Sequence, residues 1–414
     1  MKIKQKPEDF QVKEAAEIPF VEGGRYAVYL LRKRSVNTLD AVADVARACG
    51  VPRAAVAFAG LKDRHAVAWQ HVSVAGGPSG PLRGGAFEAR FLGRSDRPVG
   101  PDLLLGNEFR IVVRDLTRAQ AAHFAAALKA AERGGVPNYF DEQRFGSARH
   151  GKGFAAERMA RGDFEGALRL FMGFSSRNDT SSRKAAASEI ARRWGDWEGL
   201  ARSLRPGSER RIAEHLARNP GDFAGAFDRI EPQMLSLLVH AWQSWLWNRA
   251  AAALLGAEPG LRAPFERPTR YGPLLFFGDL DGETAARLSA LELPLFPADP
   301  AGEPECVNRA LRRVLEEEGL TGGEFRLRGT RAFFKKGRRP LLVFPGGLHV
   351  GNPQPDELDP GRRKVLFSMS LPAGSYATIL IKRASVWGAG AGEGVEGEGE
   401  ETKDAGTWSV DSGQ

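Results

Sequence analysis

Lys62, Asp63, Arg64 and His65 stand side by side in "AAVAFAGLKDRHAVAWQHVSV", between two apolar runs. A carboxylate between two cations stays ionised, because opposite charges within ~4–6 Å favour the charged form. The run holds no second carboxylate, so it lacks the acid–base pair of a glycosidase. The chain has no HExxH or CxxC pattern, and Cys49 and Cys306 are far apart, so the spacing points to no metal site and no disulfide framework. What remains is a lone carboxylate acting as nucleophile or base, with cations to hold a charged substrate. The same four residues also fit an ordinary solvated turn, and by themselves they leave both readings open.

The elements around this run must place it. "RYAVYLL", "AAVAFAG", "WQHVSV", "FEARFLG" and "EFRIVVRDL" read as strands. "NTLDAVADVARACG" reads as a helix capped by Asn37, and "RAQAAHFAAALKAAERGG" as a helix stopped by a glycine pair. "GGPSGPLRGG" reads as a loop, and "VLFSMSLPAGSYATILIK" returns to strand character near the far end. The stretch 137–345 is instead rich in Ala, Arg and Leu at helical spacing, and "EPQMLSLLVHAWQSWLWNRAAAALLG" is its strongest helix. Strand-rich ends around a helix-rich middle predict an α+β fold with a large insertion. If "GNEF" lies in a strand, its period of two puts Asn107 and Phe109 on one face, as a shared pocket requires.

Charge points to the partner. The net charge is +8, yet residues 384–414 carry seven acids and one base, which leaves +14 on residues 1–383. A basic body suits a polyanion, and equally suits plain solubility. The glycine- and acid-rich end has little to bury and is expected to be a disordered tail. Its formal G-x-G-x-x-G lacks a preceding strand and lies among glutamates, so it is no phosphate loop. The opening "MKIKQKPEDF" has no apolar core after its lysines, and the most apolar run, 234–255, is broken by polar residues. The expectation is a cytoplasmic protein with no membrane partner.

Six segments occur in a fixed order: "PEDFQVKE", "AGLKDRHAVAWQ", "LGNEFRIVVR", "PNYFDEQRFG", "AWQSWLWNRA" and "LPAGSYATILIKR". Together they resemble the TruD family of tRNA pseudouridine synthases, over the chain up to about residue 383. The resemblance implies a pseudouridine-synthase core with a mixed, mostly antiparallel sheet, formed by residues 1–136 and 346–383. It implies a mainly helical inserted domain over 137–345, with 384–414 left as the tail. It further implies isomerisation of uridine 13 in the D arm of tRNA, with no cofactor and no metal.

By the same resemblance, Asp63 is the catalytic aspartate. It either attacks the ribose or base or removes a ribose proton, and the resemblance does not choose between them. Phe10, Asn107, Phe109 and Tyr376 match substrate-binding positions; the family often has Phe where this chain has Tyr376. Lys4 and Lys62 are candidate partners for a phosphate or carboxylate, and equally plain surface charges. Arg144, Arg149 and Lys152, after "PNYF", are candidates for RNA contact on a segment that also reads as a core anchor. Two positions depart from the family pattern: Asp141 stands where glycine is typical, and Ala68 where Thr is common. Aspartate suits that site if a positive φ is required there. Trp242, Trp245 and Trp247 are expected in the core of the insertion. "RSLRPGSERR" and "RGTRAFFKKGRRP" are candidate RNA grips or solvated basic faces. The rival readings are a non-catalytic tRNA-binding or RNA-folding protein and, more remotely, a nucleoside hydrolase.

Overall fold

The computed structural model describes residues 1–148, 150–176 and 179–386. Arg149 and the acidic tail from Trp387 onward lie outside the described residues. The described residues form two compact units, one of residues 1–136 with 343–386, the other of residues 137–342.

In the first unit the strands are β1 (Lys2–Ile3), β2 (Phe10–Ala16), β3 (Tyr26–Arg34), β4 (Val56–Phe58), β5 (Val67–Ala75), β6 (Leu82–Arg83), β7 (Phe87–Ser95) and β8 (Leu104–Leu116). After the second unit come β9 (Gly346–Val350), β10 (Gln354–Pro355) and β11 (Arg363–Pro372). They make one sheet in the order β9-β11-β8-β2-β5-β3-β7-β6, with β1 added to β8, β4 to β5 and β10 to β11. Among the described pairings only β2 with β5 is parallel. The fold is thus α+β with a mixed, mostly antiparallel sheet.

Helix α1 (Thr38–Ala48) covers one end of this sheet, burying Val42 and Val45 against Tyr29, Leu31, Val72 and Val74. Helix α2 (Arg118–Gly134) begins with a reciprocal cap. Thr117 Oγ1 accepts from the Gln120 amide at 3.1 Å while Gln120 Oε1 accepts from the Thr117 amide at 2.9 Å. It ends at Gly135, whose φ of 70° suits a residue without Cβ. Phe124 of α2 meets Phe367 of β11 edge to face at 6.1 Å.

The second unit is mainly helical and is built on α3 (Pro232–Gly256), which starts with proline in its first turn. Trp242 and Trp247 are fully buried, and Trp245 is half-buried with its indole N–H on the Tyr271 carbonyl at 2.8 Å. All three are structural, as a helix apolar on every side requires.

The expected strand character of "VLFSMSLPAGSYATILIK" holds only to Pro372. Gly374, with φ 82°, turns the chain, and helix α4 (Ala377–Ala384) follows. Thr378, Ile379 and Ile381 favour strands by propensity. Packing overrides that preference: α4 lies on α2, and buried Arg383 donates to the Ala127 carbonyl at 2.8 Å. "AAVAFAG" is likewise strand only from Val56, after a 3-10 turn at Arg53–Ala55.

The two stretches of chain that form the first unit meet at Arg114, near the end of β8. Its buried guanidinium donates to both Asp9 oxygens at 2.9–3.0 Å, to Asp356 Oδ1 at 2.7 Å and to Glu357 Oε1 at 3.0 Å. Asp356 also accepts from the amides of Asp115 and Leu358, both at 3.0 Å. Burial alone would raise the Asp356 carboxyl; these amides and Arg114 outweigh it and hold the carboxyl below the usual range. Arg114→Ala leaves two buried carboxylates without their shared cation. Urea denaturation at pH 7 should show a loss of about 3–5 kcal/mol. A loss below ~1 kcal/mol would mean that the node does not hold the unit together.

Candidate active site

The register of the sheet puts a set of unlike residues on one face. Phe10, Val12 and Glu14 of β2 lie opposite Ile111, Phe109 and Asn107 of β8. On β2's other side Val12 pairs with Ala68 of β5, and β5 in turn sets Ala68 and Gln70 against Lys33 and Leu31 of β3. Directly paired residues share a face, so Glu14, Lys33, Gln70 and Asn107 all join the face of Phe10 and Phe109. Met369 and Leu371 of β11 extend that face beyond Phe109 and Asn107.

The Asp63 loop, between β4 and β5, is fastened to this face from beneath. Lys33 is fully buried, and its ammonium donates to the carbonyls of Val36 at 2.8 Å and Asp63 at 2.7 Å, with Lys62 O at 3.4 Å. Thr38 Oγ1 accepts from the Lys62 amide at 2.9 Å. Burial pulls the Lys33 amine down to about 8, against the Asp63 charge, which favours the ammonium, and with Lys62, which opposes it.

Above the loop backbone, Lys4 Nζ stands 2.7 Å from Asp63 Oδ2 and 4.3 Å from the centre of the Phe10 ring. Phe10 meets Phe109 edge to face, with centroids 6.0 Å apart. One line of contacts therefore runs from the carboxylate through the ammonium to the two rings. Lys4 has φ 59°, a left-handed conformation that costs a long side chain about 1–3 kcal/mol. Neighbouring bonds hold it there. β1 pairs with the end of β8 on one side, and Asp9 accepts from the Lys6 amide at 2.9 Å on the other.

Lys62 does not serve Asp63. It pairs with the fully buried carboxylate of Glu14 at 2.6 Å, and Arg64 is exposed, so the flanking cations expected from the sequence point elsewhere. Neighbours on an irregular loop project differently, and Glu14 is the buried charge that needs neutralising. Glu14 also accepts from the His71 amide at 2.7 Å. Burial pushes its carboxyl upward, but His71 and Lys62 outweigh this and leave it below its ordinary value. Asn107, the strand neighbour of Glu14, keeps Oδ1 buried without a hydrogen-bond partner among the described residues.

Tyr376 is half-buried at the start of α4, on the loop that leaves β11 beside Gly106 and Asn107. In the second unit, Arg144 is half-buried and donates to Ser244 Oγ at 3.2 Å, while Lys152 is exposed. Their segment is anchored internally. Tyr139 is fully buried with its hydroxyl on the Leu275 carbonyl at 2.9 Å, and Phe140 exchanges two 2.8 Å bonds with Asn248. Asp141 is buried without a positive φ, so a left-handed backbone is not what that position asks of its residue.

Glu14, Lys33, Thr38 and Gln70 were not singled out from the sequence. The signal was present for three of them. Glu14 falls in phase with Phe10 and Val12, Lys33 with Ala27, Tyr29 and Leu31, and Gln70 with Ala68 and Val72. A polar residue on the apolar parity of a strand must find a buried partner.

The family model described as tRNA pseudouridine synthase D (TruD) matches residues 1–266. The probable tRNA pseudouridine synthase D 2 of Methanocaldococcus jannaschii is 30% identical, over 93% of this chain and 91% of the relative. The tRNA pseudouridine synthase D of Aquifex aeolicus is 30% identical, over 92% of this chain and 97% of the relative. A solved TruD structure from Methanosarcina mazei superposes with a TM-score of 0.67 at 26% identity, covering 92% of this chain and 93% of that one. Among the described residues no helix is long and apolar enough to cross a membrane.

Lys33 gives the site a pH signature. In the unfolded chain its amine returns to the ordinary lysine value of 10.5, so between about pH 8 and 10.5 the unfolded state holds more protons. Stability contributed through this group therefore rises with pH across that window; below pH 8 the penalty of the buried charge is fully present. Urea titrations at pH 7 and pH 10 should show wild type gaining ~2–3 kcal/mol relative to Lys33→Met. Parallel pH curves for the two proteins would sink the assignment.

Proposed function

The chain belongs to the TruD family of tRNA pseudouridine synthases, and on that premise we propose that it isomerises uridine 13 in the D arm of tRNA with Asp63 as catalytic carboxylate. The observation that carries this reading is the Asp63 carboxylate paired to Lys4, next to the Phe10–Phe109 rings and to the face that bears Asn107 Oδ1, which has no hydrogen-bond partner among the described residues. We assign catalysis to the unit formed by residues 1–136 and 346–383, with 137–345 as the inserted domain, acting in the cytoplasm where tRNA is found.

In the reaction the bond from N1 to C1′ breaks, the uracil turns, and C5 bonds to C1′. The C5 proton leaves to solvent and N1 regains a proton. Nothing is oxidised or added, so the chemistry asks for no cofactor. The target base must first leave its stack, since the reacting atoms are inaccessible inside a helix. Phe10 and Phe109 supply the apolar enclosure for the flipped ring, with Tyr376 on the loop beside them. Asn107 Oδ1 is an acceptor for the uracil N3–H, which would meet its unfilled hydrogen-bonding capacity. Lys4 holds the Asp63 carboxylate in place through its 2.7 Å ion pair, and a carboxylate serves both attack on the ribose or base and removal of a ribose proton. Lys62 supports the site indirectly, by neutralising Glu14 beneath it.

The test uses unmodified tRNA transcript tritiated at uracil C5, since isomerisation displaces that label. Wild type should release tritium and place pseudouridine at position 13, while Asp63→Ala releases none and still binds tRNA. Asn107→Ala should lower kcat/KM by roughly 5- to 150-fold, the scale of one buried hydrogen bond at ~1–3 kcal/mol. Equal release by wild type and Asp63→Ala would move catalysis to another residue. No release by either, with tRNA bound, would support a non-catalytic tRNA-binding protein, and free uracil a hydrolase.

A further inference from the structure

The segment Arg331–Gly337 of the second unit exposes an aromatic ring in a way its neighbours do not. Phe333 is 69% exposed, the most of any large apolar side chain among the described residues. The next residue, Phe334, is 8% exposed and packs edge to face on Phe325 at 5.2 Å and against Trp242 at 5.9 Å.

The backbone around Phe333 is irregular but pinned. Upstream, the Arg331 amide donates to Asp228 Oδ1 at 2.9 Å and its guanidinium to the Asp228 carbonyl at 2.6 Å. Downstream, Gln243 donates to the Lys335 carbonyl at 2.7 Å, and the Gly337 carbonyl accepts from the Leu295 amide at 2.9 Å. With Phe334 driven into the core between these anchors, Phe333 is held out in water. Its exposure is therefore built in rather than a consequence of fraying.

The charges beside the ring differ in kind. Arg331, which opens the segment, and Arg338, which follows it, are already paired, with Asp228 and with Glu303. Lys335 and Lys336 are both exposed and make no ion pair among the described residues. A protein-binding patch would be a contiguous apolar surface. Here there is one ring with two uncommitted ammonium groups, on a body of charge +14 over residues 1–383. That combination fits a nucleobase flanked by phosphates, because an aromatic face stacks on any base and the ammonium groups neutralise the backbone.

We propose that Phe333, Lys335 and Lys336 form an RNA-contact subsite on the second unit, where Phe333 stacks on an unpaired base of the tRNA and the lysines hold the phosphates beside it. The subsite rests on the tRNA-modifying reading above but not on the identity of the catalytic residue. It turns one of the two basic segments noted in the sequence from a diffuse charge into a defined contact.

Unmodified tRNA transcript is titrated into the full chain and its variants at several salt concentrations, with tritium release by wild type measured alongside. Phe333→Ala should weaken binding about ten-fold, within the range of one lost stacking contact. Phe333→Leu should weaken it similarly, and Phe333→Trp should bind within about two-fold of wild type, because stacking needs a ring rather than mere apolarity. The double variant Lys335→Ala/Lys336→Ala should reduce the slope of log Kd against log salt by about 1.5. Wild-type affinity in Phe333→Ala, or full affinity in Phe333→Leu, would overturn the proposal while leaving the catalytic reading intact. A change of oligomeric state in Phe333→Ala without loss of tRNA affinity would overturn it too, in favour of a contact between copies of the chain. A wild type that neither binds tRNA nor releases tritium would remove the tRNA reading and the subsite together.

Discussion

The first unit depends on a single buried guanidinium. A unit interrupted by a long insertion must join two distant stretches of chain, and Arg114 joins them with charge. It takes Asp9 from the first stretch and Asp356 and Glu357 from the second. Around it the chain ends are tied by further ion pairs, Met1 to Asp115, Arg362 to Asp115 and Lys2 to Asp359. The consequence reaches the site. Asp9 fixes the turn that follows Lys4, so the network around Arg114 also sets where the Lys4 ammonium stands against Asp63. The long ladder between β8 and β11 brings the returning chain back. The ion pairs add specificity, since a guanidinium in a buried carboxylate cluster tolerates little sliding.

A second constraint is polar matter on an apolar face. Lys33, Glu14, Gln70 and Asn107 occupy positions where the sheet would otherwise place aliphatic side chains. Burying the Lys33 charge costs stability, as its lowered pKa records. In return the ammonium gathers backbone carbonyls of the Asp63 loop, which would otherwise have no regular structure to satisfy them. A loop fixed in this way can hold a carboxylate in place without waiting for substrate. Glu14 and Lys62 form a neutralised pair at the same level, so the lysine adjacent to Asp63 in sequence pairs with Glu14 and the distant Lys4 pairs with Asp63.

Some of this was readable from residue order. The strand periods of "RYAVYLL" and "EFRIVVRDL", the helix that starts after Asn37 and the apolar α3 need only local pattern, because periodicity is local physics, although Asn37 takes the N-cap position without a side-chain cap bond. Asn107 and Phe109 sharing a face followed from the strand period alone. The strand expected at Thr378–Ile381 failed for the opposite reason: its propensity is local, but its burial against α2 is not.

Sequence by itself determined the family, the α+β class, the placement of the helical insertion and the candidacy of Asp63. These rest on residue types and spacings that the chain carries whatever its conformation. Tertiary structure alone decided which cation meets the carboxylate, what holds its loop from below and which of two adjacent phenylalanines faces water. Each of those depends on the direction of a side chain from an irregular backbone, or on the meeting of strands far apart in the chain. No periodicity encodes either, because both are set only when the register between strands closes.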